Sequence, residues 1–542
     1  VDGGGLDIHM DLAHWIERQA AFAPDQIAIR FHGHDWTVTG HDRTIAGHDR
    51  AVAGDDRTAT GHDLTYAALA RRVEAAAVRL AALRVREGDV VAFLGYNSPD
   101  FLILLFACAR LRAIAMPLNW RLAAAEHARI LELCPPALLL VERAFLSHVR
   151  ELSDTCSARF PHLVCDVLAG DAAPDQSRAG SAARPAPAAS AGDVPVLICH
   201  TSGATGAPKA VVLTQDALFW NAVNATHMHD LTSADRILTT LPMFHVGGIN
   251  IQTLPALHAG ASVTLHAKFD PAAAIEAIER ERITLTVLVP AQLVAMMEHP
   301  RWANADLSSL RMITTGSTIV SESFVRRVHA KGPRMIQIYG STETAPIAAY
   351  VRVDAAERKA GAAGLPALHC ELRVVDHNGA DLPHGRDGEI LVRGPNVMQR
   401  YWNAPQTTAA ALRDGWYHTS DIGHFDEDGY LHVVARKSDM IISGGENIYP
   451  AEIETILAEC PSIREACVIG QRDERWGEMV VAVVALQPGA PMTEADVIAL
   501  FADRIARYKH PRAVRFVQAL PRNELGKIKR SALQGAADLA PA

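Results

Sequence analysis

The chain contains no C-x-x-C pair, no apolar run of bilayer length and no excess of basic residues, and each absence removes a class of protein. Its eight cysteines are scattered at 108, 134, 156, 165, 199, 370, 460 and 467. That spacing excludes a disulfide framework and a structural zinc site, and it reads as free buried thiols in a reducing compartment. The longest apolar run, Phe101 to Ala109, stops at Arg110, far short of the ~20 residues a bilayer span needs. Lys and Arg number 52 against 61 Asp and Glu, a formal charge of -9. No electrostatic footprint for nucleic acid follows from that balance. The opening stretch, VDGGGLDIHMDLAHW, has neither a cationic start nor an apolar core. The expectation is a cytoplasmic protein with no secretory signal and no transmembrane segment, Met10 being a candidate initiator.

What is present is a chain of 542 residues, 49% hydrophobic and 21% charged, which predicts more than one ordinary globular domain. A seven-residue unit recurs from Gly33: GHDWTVT, GHDRTIA, GHDRAVA, GDDRTAT, GHDLTYA. It carries Gly-His-Asp turn chemistry and too few apolar residues for a coiled-coil seam. His34, His41, His48 and His62 are a conceivable metal set, but a solvated loop insertion over 33–63 is the simpler reading. Leu12, Trp15 and Ile16 mark one face of a short helix, and Ile27 to Phe31 reads as a strand. Thr65 is placed to cap a helix whose apolar face is Leu69, Val73, Ala76, Leu80 and Leu83. Strands at Val90 to Leu94 and Ala113 to Met116 bracket a helix through Phe101 to Leu111. Such alternation predicts parallel sheets covered on both faces. Residues 169–195, rich in Ala, Pro, Gly and Ser, read as a surface linker.

Beyond Lys437 a smaller unit reads helix (Ala451 to Cys460), strands (Ala466 to Ile469, Met479 to Leu486), helix (Glu494 to Tyr508) and strand (Ala513 to Val517). The predicted fold is α/β: a large body over 1–437, of several sheets, carrying a small mobile α+β domain over 438–542.

The strongest local signal is TSGATGAPKAV, Thr201 to Val211, after the strand-like VLICH. Ser202, Gly203, Thr205 and Gly206 let backbone amides and hydroxyls approach a polyphosphate, and Lys209 adds a point charge. A Walker A loop requires Gly before the Lys and Ser or Thr after it; here stand Pro208 and Ala210. Taken alone, such a turn is as readily a plain surface loop. It is followed, in order, by LPMFHVGG (241–248), YGSTETA (339–345), YHTSDIG (417–423), RKSDMIISGGENIYPAEIE (436–454) and PRNELGKIKR (521–530). This series closely resembles that of the adenylate-forming superfamily of acyl-CoA synthetases, peptide-synthetase adenylation domains and beetle luciferases. The resemblance covers nearly the whole chain outside the repeat and the linker.

The resemblance implies an ATP-dependent acid–CoA ligase using Mg²⁺ and coenzyme A. The carboxylate attacks the α-phosphorus of ATP to give acyl-AMP and pyrophosphate, and a thiol then displaces AMP. It implies that Thr201, Tyr339, Gly340 and Ser341 join the phosphate loop around the nucleotide, Tyr339 lying against adenine. Thr342 would donate to the α-phosphate, and Glu343 would be the hard oxygen ligand for Mg²⁺. Asp421 and Arg436 would hold the ribose, and Lys527 would neutralise charge during adenylation. Ser438 stands at the hinge, where Asp or Lys is usual, which puts a charge-based switch in doubt. Ala204 and Ala210 also depart from the family pattern, replacing a hydroxyl residue and a glycine, which predicts a weaker grip on the nucleotide. Gly444, Gly445 and Trp476 would line the CoA entrance.

By the same resemblance the acyl pocket is lined by His245, Val246, Gly247, Gly248, Gly316, Ile347 and Ala348. Small and apolar residues there, with no Arg or Lys, predict a bulky or long acid without a second carboxylate. A medium- or long-chain fatty acid is the first expectation. An aryl or alicyclic acid is the alternative, and a stand-alone adenylation enzyme loading a carrier protein stays open, as does a homodimer.

Overall fold

The computed structural model of the chain describes residues 12–32, 62–156, 161–168, 193–202, 208–316, 320, 322–436, 439–443, 446–473, 477–502, 504–505, 507–522 and 528–534. Most of the predicted elements are found. The Thr65 hydroxyl accepts from the Ala68 amide at 3.2 Å and caps helix Tyr66–Ala82, satisfying a donor that the first turn leaves unpaired. Leu69, Val73, Ala76 and Leu80 are buried as predicted, whereas Leu83 is 44% exposed. The helix ends one residue before Leu83, and Arg84 at φ +67° turns the chain away.

The last repeat unit corrects the reading of 33–63 as a solvated insertion. His62–Thr65 is a strand, antiparallel to Ile27–His32, and Asp63 pairs with Arg30 at 3.0 Å. His34, His41 and His48 lie outside the described residues. Helix Pro99–Leu111 is buried from Pro99 to Ala109, as the unbroken apolar run from Phe101 to Ala109 requires. The eight cysteines are free, and all but Cys460 are buried.

Three sheets build the N-terminal body. The largest has nine strands. Its centre, Arg334–Tyr339, Met312–Thr315, Leu285–Val287, Arg236–Thr239, Ser262–His266 and Ile27–His32, is parallel throughout. The second, of seven strands, is parallel from Pro195–Ser202 through Ile114–Leu118, Val90–Leu94 and Leu138–Val141 to His162–Val164. Its other edge is an antiparallel hairpin, Pro195–Ser202 with Pro208–Thr214, extended by Arg400–Tyr401. The third sheet departs from the expectation of parallel sheets: Glu371–Val375, Gly388–Arg393, Leu412–Arg413, Trp416–Phe425 and Leu431–Arg436 are wholly antiparallel. The last three of these strands follow one another through the short connections 414–415 and 426–430, and a parallel pair needs a longer crossover.

The C-terminal domain has its own five-stranded sheet, with Ile463–Asp473 and Gly477–Leu486 as a long hairpin and Ala513–Phe516 parallel to the second. Helix Pro450–Ala458 covers it, and Ile453, Leu457, Val480, Val484 and Phe501 form a separate core. The predicted helix Glu494 to Tyr508 is corrected to Glu494–Ala499. Past it the amides of Leu500, Phe501 and Ala502 bond three residues back, to Val497, Ile498 and Ala499. This tighter winding turns Phe501 fully into the core. No helix among the described residues is long and apolar enough to cross a membrane.

Four buried histidines make stability depend on acid. Burial first of all pushes His127, His200, His229 and His266 down to about 4. In the unfolded chain they titrate near ~6.5. Between these values the unfolded state binds protons that the folded state does not, so stability present above pH ~6.5 is lost as pH falls. The loss is up to about 1.4 kcal/mol per pH unit for each histidine. Glu142, pushed up to about 7 by burial, takes its proton in the folded state first and offsets one of the four. Urea midpoints measured at about pH 7, 6 and 5 are expected to fall steadily; a flat series would contradict the burial of these rings.

Candidate active site

The carboxyl ends of several parallel strands of the nine-stranded sheet deliver the predicted residues to one region. Arg334–Tyr339 ends on Tyr339 and Gly340, Met312–Thr315 leads into Gly316, and Arg236–Thr239 leads into the loop that carries His245. Gly340 has a spatial reason to be glycine: a Cβ there would lie 1.6 Å from the Pro346 carbonyl oxygen. The turn Thr342–Thr344 follows, with the Thr344 hydroxyl accepting from the Ser341 amide at 2.9 Å.

Glu343 is only 7% exposed and Thr342 5%. A buried carboxylate needs a donor, and the Tyr401 hydroxyl supplies one at 2.9 Å from Oε1. Tyr401 is held by the sheet, opposite Val211 in the phosphate-loop hairpin, and Lys209 Nζ lies 5.1 Å from the centroid of its ring. In that hairpin Thr201 faces Lys209 across the strands. The proposed phosphate loop is therefore flanked by two antiparallel strands, whereas a Walker A loop leads from a strand into a helix. Tyr401 was not singled out by the sequence, since it belongs to no quoted motif. Tyr417 opens the quoted stretch 417–423 but was given no role there: burial, and next the Glu343 carboxylate, hold its hydroxyl well above the usual phenol range.

Asp421 reaches the same place from the antiparallel sheet. The Tyr339 hydroxyl donates to Asp421 Oδ2 at 2.8 Å, and Asp421 pairs with Arg436 in the strand register. On the opposite side, His245 Nδ1 accepts from the Gly247 amide at 3.1 Å at the start of helix Val246–Asn250. The Asn250 side-chain amide donates to the Ala345 carbonyl, tying this helix to the Glu343 turn. Val246, Ile347 and Ala348 are buried in the main core. Ile347 is anchored at both ends, its amide to Asn221 Oδ1 at 3.0 Å and its carbonyl to Asn396 Nδ2 at 2.8 Å. Gly248 and Gly316 have a second reason to be glycine besides room in a pocket: a Cβ would lie 2.3 Å from the Pro242 oxygen and 2.8 Å from the Ile338 oxygen.

The structure thus gathers Lys209, Tyr339, Gly340, Thr342, Glu343 and Asp421. For Ser202 and Arg436 it describes the backbone alone, and Gly203, Ala204, Thr205, Gly206, Ser438, Gly444, Gly445, Trp476 and Lys527 lie outside the described residues. A groove of about 560 Å³ lies elsewhere, beside Trp220, His369 and Arg393. None of the predicted site residues lines it.

The donor set suits a nucleotide and a hard cation. One carboxylate, Glu343, faces a cationic and hydroxyl-bearing hairpin, which fits Mg²⁺ shared with substrate phosphates better than an all-protein metal cage. Among the described residues no group of three or more His, Cys, Asp and Glu side chains could hold a metal by itself.

Comparison with known proteins shows the family. The AMP-binding enzyme family profile matches residues 17–402, and that of the AMP-binding enzyme C-terminal domain matches 452–527. Indoleacetate–CoA ligase of Aromatoleum aromaticum is 51% identical over 529 residues, covering 96% of this chain and 97% of that protein. Feruloyl-CoA synthase of an Amycolatopsis species is 41% identical, covering 85% and 92%. A long-chain-fatty-acid–CoA ligase of Mycobacterium tuberculosis is 34% identical, covering 86% and 92%. Among solved structures, o-succinylbenzoate coenzyme A synthetase of Bacillus subtilis with ATP and magnesium superposes with a TM-score of 0.79 at 29% identity, over 96% and 99%.

Gly340→Ala tests the close approach at the centre of the site. The added methyl must displace the Pro346 carbonyl, so the unfolding midpoint is expected to drop by the equivalent of about 2 kcal/mol or more. An unchanged midpoint would show that the two backbones are not in contact.

Proposed function

Because the chain belongs to the AMP-binding enzyme family, as an ATP-dependent, AMP-forming acid–thiol ligase, we propose that its substrate is a carboxylic acid carrying an aromatic ring and that its acceptor is CoA. The observation that carries the ring is the 51% identity, over nearly both full lengths, to an indoleacetate–CoA ligase. The feruloyl-CoA synthase match at 41% points the same way, and the long-chain relative at 34% is more distant. The fatty acid of the sequence reading therefore gives place to its alternative. Glycines at 247, 248 and 316 and the lack of a cationic side chain among the pocket residues suit a neutral ring.

In this reading Lys209 and the hairpin turn hold the phosphates, and Asp421 with Arg436 holds the ribose. Thr342 meets the α-phosphate. Mg²⁺ would be held by Glu343 together with phosphate oxygens, where it would neutralise charge on the leaving pyrophosphate. Tyr401 orients the Glu343 carboxylate. His245 borders the reacting carboxylate. Adenylation needs in-line geometry and charge neutralisation and no protein nucleophile. Lys527 is proposed to supply part of that charge, on a domain that turns about Ser438. The same turn would present Gly444, Gly445 and Trp476 to CoA.

Release of AMP should be measured with indole-3-acetate, 4-coumarate, benzoate, octanoate, palmitate and malonate, each with and without CoA. Ring acids are expected to turn over at least about tenfold faster than octanoate and to depend on CoA. Preference for octanoate or palmitate would restore the fatty-acid reading, and turnover that CoA does not accelerate would point to a carrier protein. Lys527→Ala is expected to lower acyl-AMP formation by about 100-fold or more while leaving thioester formation from supplied acyl-AMP within a few-fold. Tyr401→Phe is expected to raise the KM for Mg-ATP about tenfold; an unchanged KM would separate Tyr401 from the nucleotide.

A further inference from the structure

Near Gly247 and Gly248 two buried amide oxygens, Asn250 Oδ1 and Gln252 Oε1, have no partner among the described residues, and of the two residues Gln252 is the one that lines a cavity. Gln252 is 2% exposed and precedes helix Thr253–Ala259. Its orientation follows from His229, fully buried at the end of helix Gln215–His229. His229 Nδ1 lies 2.9 Å from the Ala225 carbonyl oxygen. A carbonyl only accepts, so Nδ1 carries the ring proton. Burial pushes this imidazole down to about 4, and at neutral pH Nε2 is therefore a bare lone pair. Thr314 Oγ1 lies 2.9 Å from that nitrogen and Gln252 Nε2 3.1 Å from it. The Gln252 amide nitrogen also donates to Thr314 Oγ1 at 3.3 Å. Turned the other way, the amide would set its oxygen against the His229 lone pair. So Nε2 faces the histidine and Oε1 faces away from it.

Oε1 is buried and has no hydrogen-bond partner. Gln252 lines a cavity of about 10 Å³ with Thr239, Leu241, Gly247, Gly248 and Val287, room for about one small group. Three hydroxyls line this cavity: Thr240 accepts from Gln292 Nε2 at 3.5 Å and is not bonded to Gln252, and the protons of the other two are committed elsewhere. Thr253 donates to the Gly248 carbonyl at 2.7 Å, and Thr239, 2.8 Å from Thr253, is left to donate to it. A buried acceptor left unmet costs about 1–3 kcal/mol, so a group that arrives with a donor there is favoured over one that does not.

We propose that Gln252 Oε1 is a specificity determinant that accepts from a single N–H or O–H on the ring of the acid, so that the substrates of this enzyme are ring acids bearing one such donor. The proposal rests on the ring-acid reading above. An indole N–H or a phenolic O–H has the chemistry required, and a plain alkyl chain or a phenyl ring lacks it.

The test compares kcat/KM of the full-length enzyme, with Mg-ATP and CoA, for indole-3-acetate and for 1-benzothiophene-3-acetate, in which sulfur replaces the N–H. The wild type is expected to prefer indole-3-acetate about 30-fold or more. In Gln252→Met the preference is expected to shrink to about threefold or less through loss of indole-3-acetate turnover, with the KM for ATP unchanged. Equal turnover of the two ring acids by the wild type overturns this proposal alone. So does a preference that survives in Gln252→Met. Turnover of octanoate with both ring acids refused overturns the ring-acid reading as well. Should Gln252→Met not fold, a crystal structure of the wild type with indoleacetyl-AMP decides. The ring N–H within hydrogen-bond distance of Gln252 Oε1 is expected, and a water on Oε1 with the ring turned elsewhere overturns the proposal.

Discussion

The hydrogen bond from the Tyr401 hydroxyl to the Glu343 carboxylate holds three distant stretches of chain at one point. Glu343 is buried on a short turn, and a carboxylate in that position is stable only with a donor. Tyr401 can supply it because Arg400–Tyr401 pairs with the hairpin strand Pro208–Thr214. A single side-chain contact thus couples the register of the seven-stranded sheet to the end of the nine-stranded one. The backbone repeats the connection, with the Met398 amide on the Glu343 carbonyl at 2.7 Å and the Trp402 amide on the Ala210 carbonyl at 2.8 Å. Lys209 and Glu343, opposite in charge and far apart in sequence, both meet the Tyr401 side chain, one near the ring and the other at its hydroxyl.

The rest of the site follows from where parallel strands stop. In open α/β sheets the carboxyl ends of neighbouring strands leave a crevice whose loops are free to vary. Here Tyr339, Gly316 and the His245 loop all follow such ends. The antiparallel third sheet brings Asp421 to the same crevice, and the Tyr339 hydroxyl closes the gap between the two sheets. Behind this surface the turn at Ala345 to Ile347 is held by buried amides. Asn221, Asn250 and Asn396 bond to the backbone of Ala345, Ile347 and their neighbours. Amide side chains both donate and accept, so they satisfy irregular backbone that no strand can pair. Gln252, whose carbonyl oxygen is left over as that of Asn250 is, differs from these three in that its amide nitrogen is pinned by a histidine lone pair and the side chain lines a cavity.

Much of this was legible in the residues themselves. The apolar stripe after Thr65 specified a capped helix, and the unbroken run at 101–109 specified a buried one. The motif order specified the family and the reaction. Misreadings occurred where periodicity stops being informative. The helix expected through Tyr508 ends at Ala499 because Phe501 turns into the core. Leu83 fits the stripe but lies past the helix end. The last repeat unit has the composition of its neighbours, yet it pairs with Ile27–His32 because that strand had an open edge. The antiparallel third sheet was missed because its short strands carry the same apolar pattern as parallel ones.

By itself the sequence determined the family and the class of reaction, because the motifs that carry them are particular side chains at short, fixed spacing. Only the tertiary structure decided which residues outside the motifs pack against the motif residues and against one another. Tyr401 and Gln252 stand in no signature, and their neighbours along the chain do not explain them. Their partners, Glu343 and His229, are remote in sequence, and what pairs them is sheet register, helix packing and the requirement that buried polar groups be met.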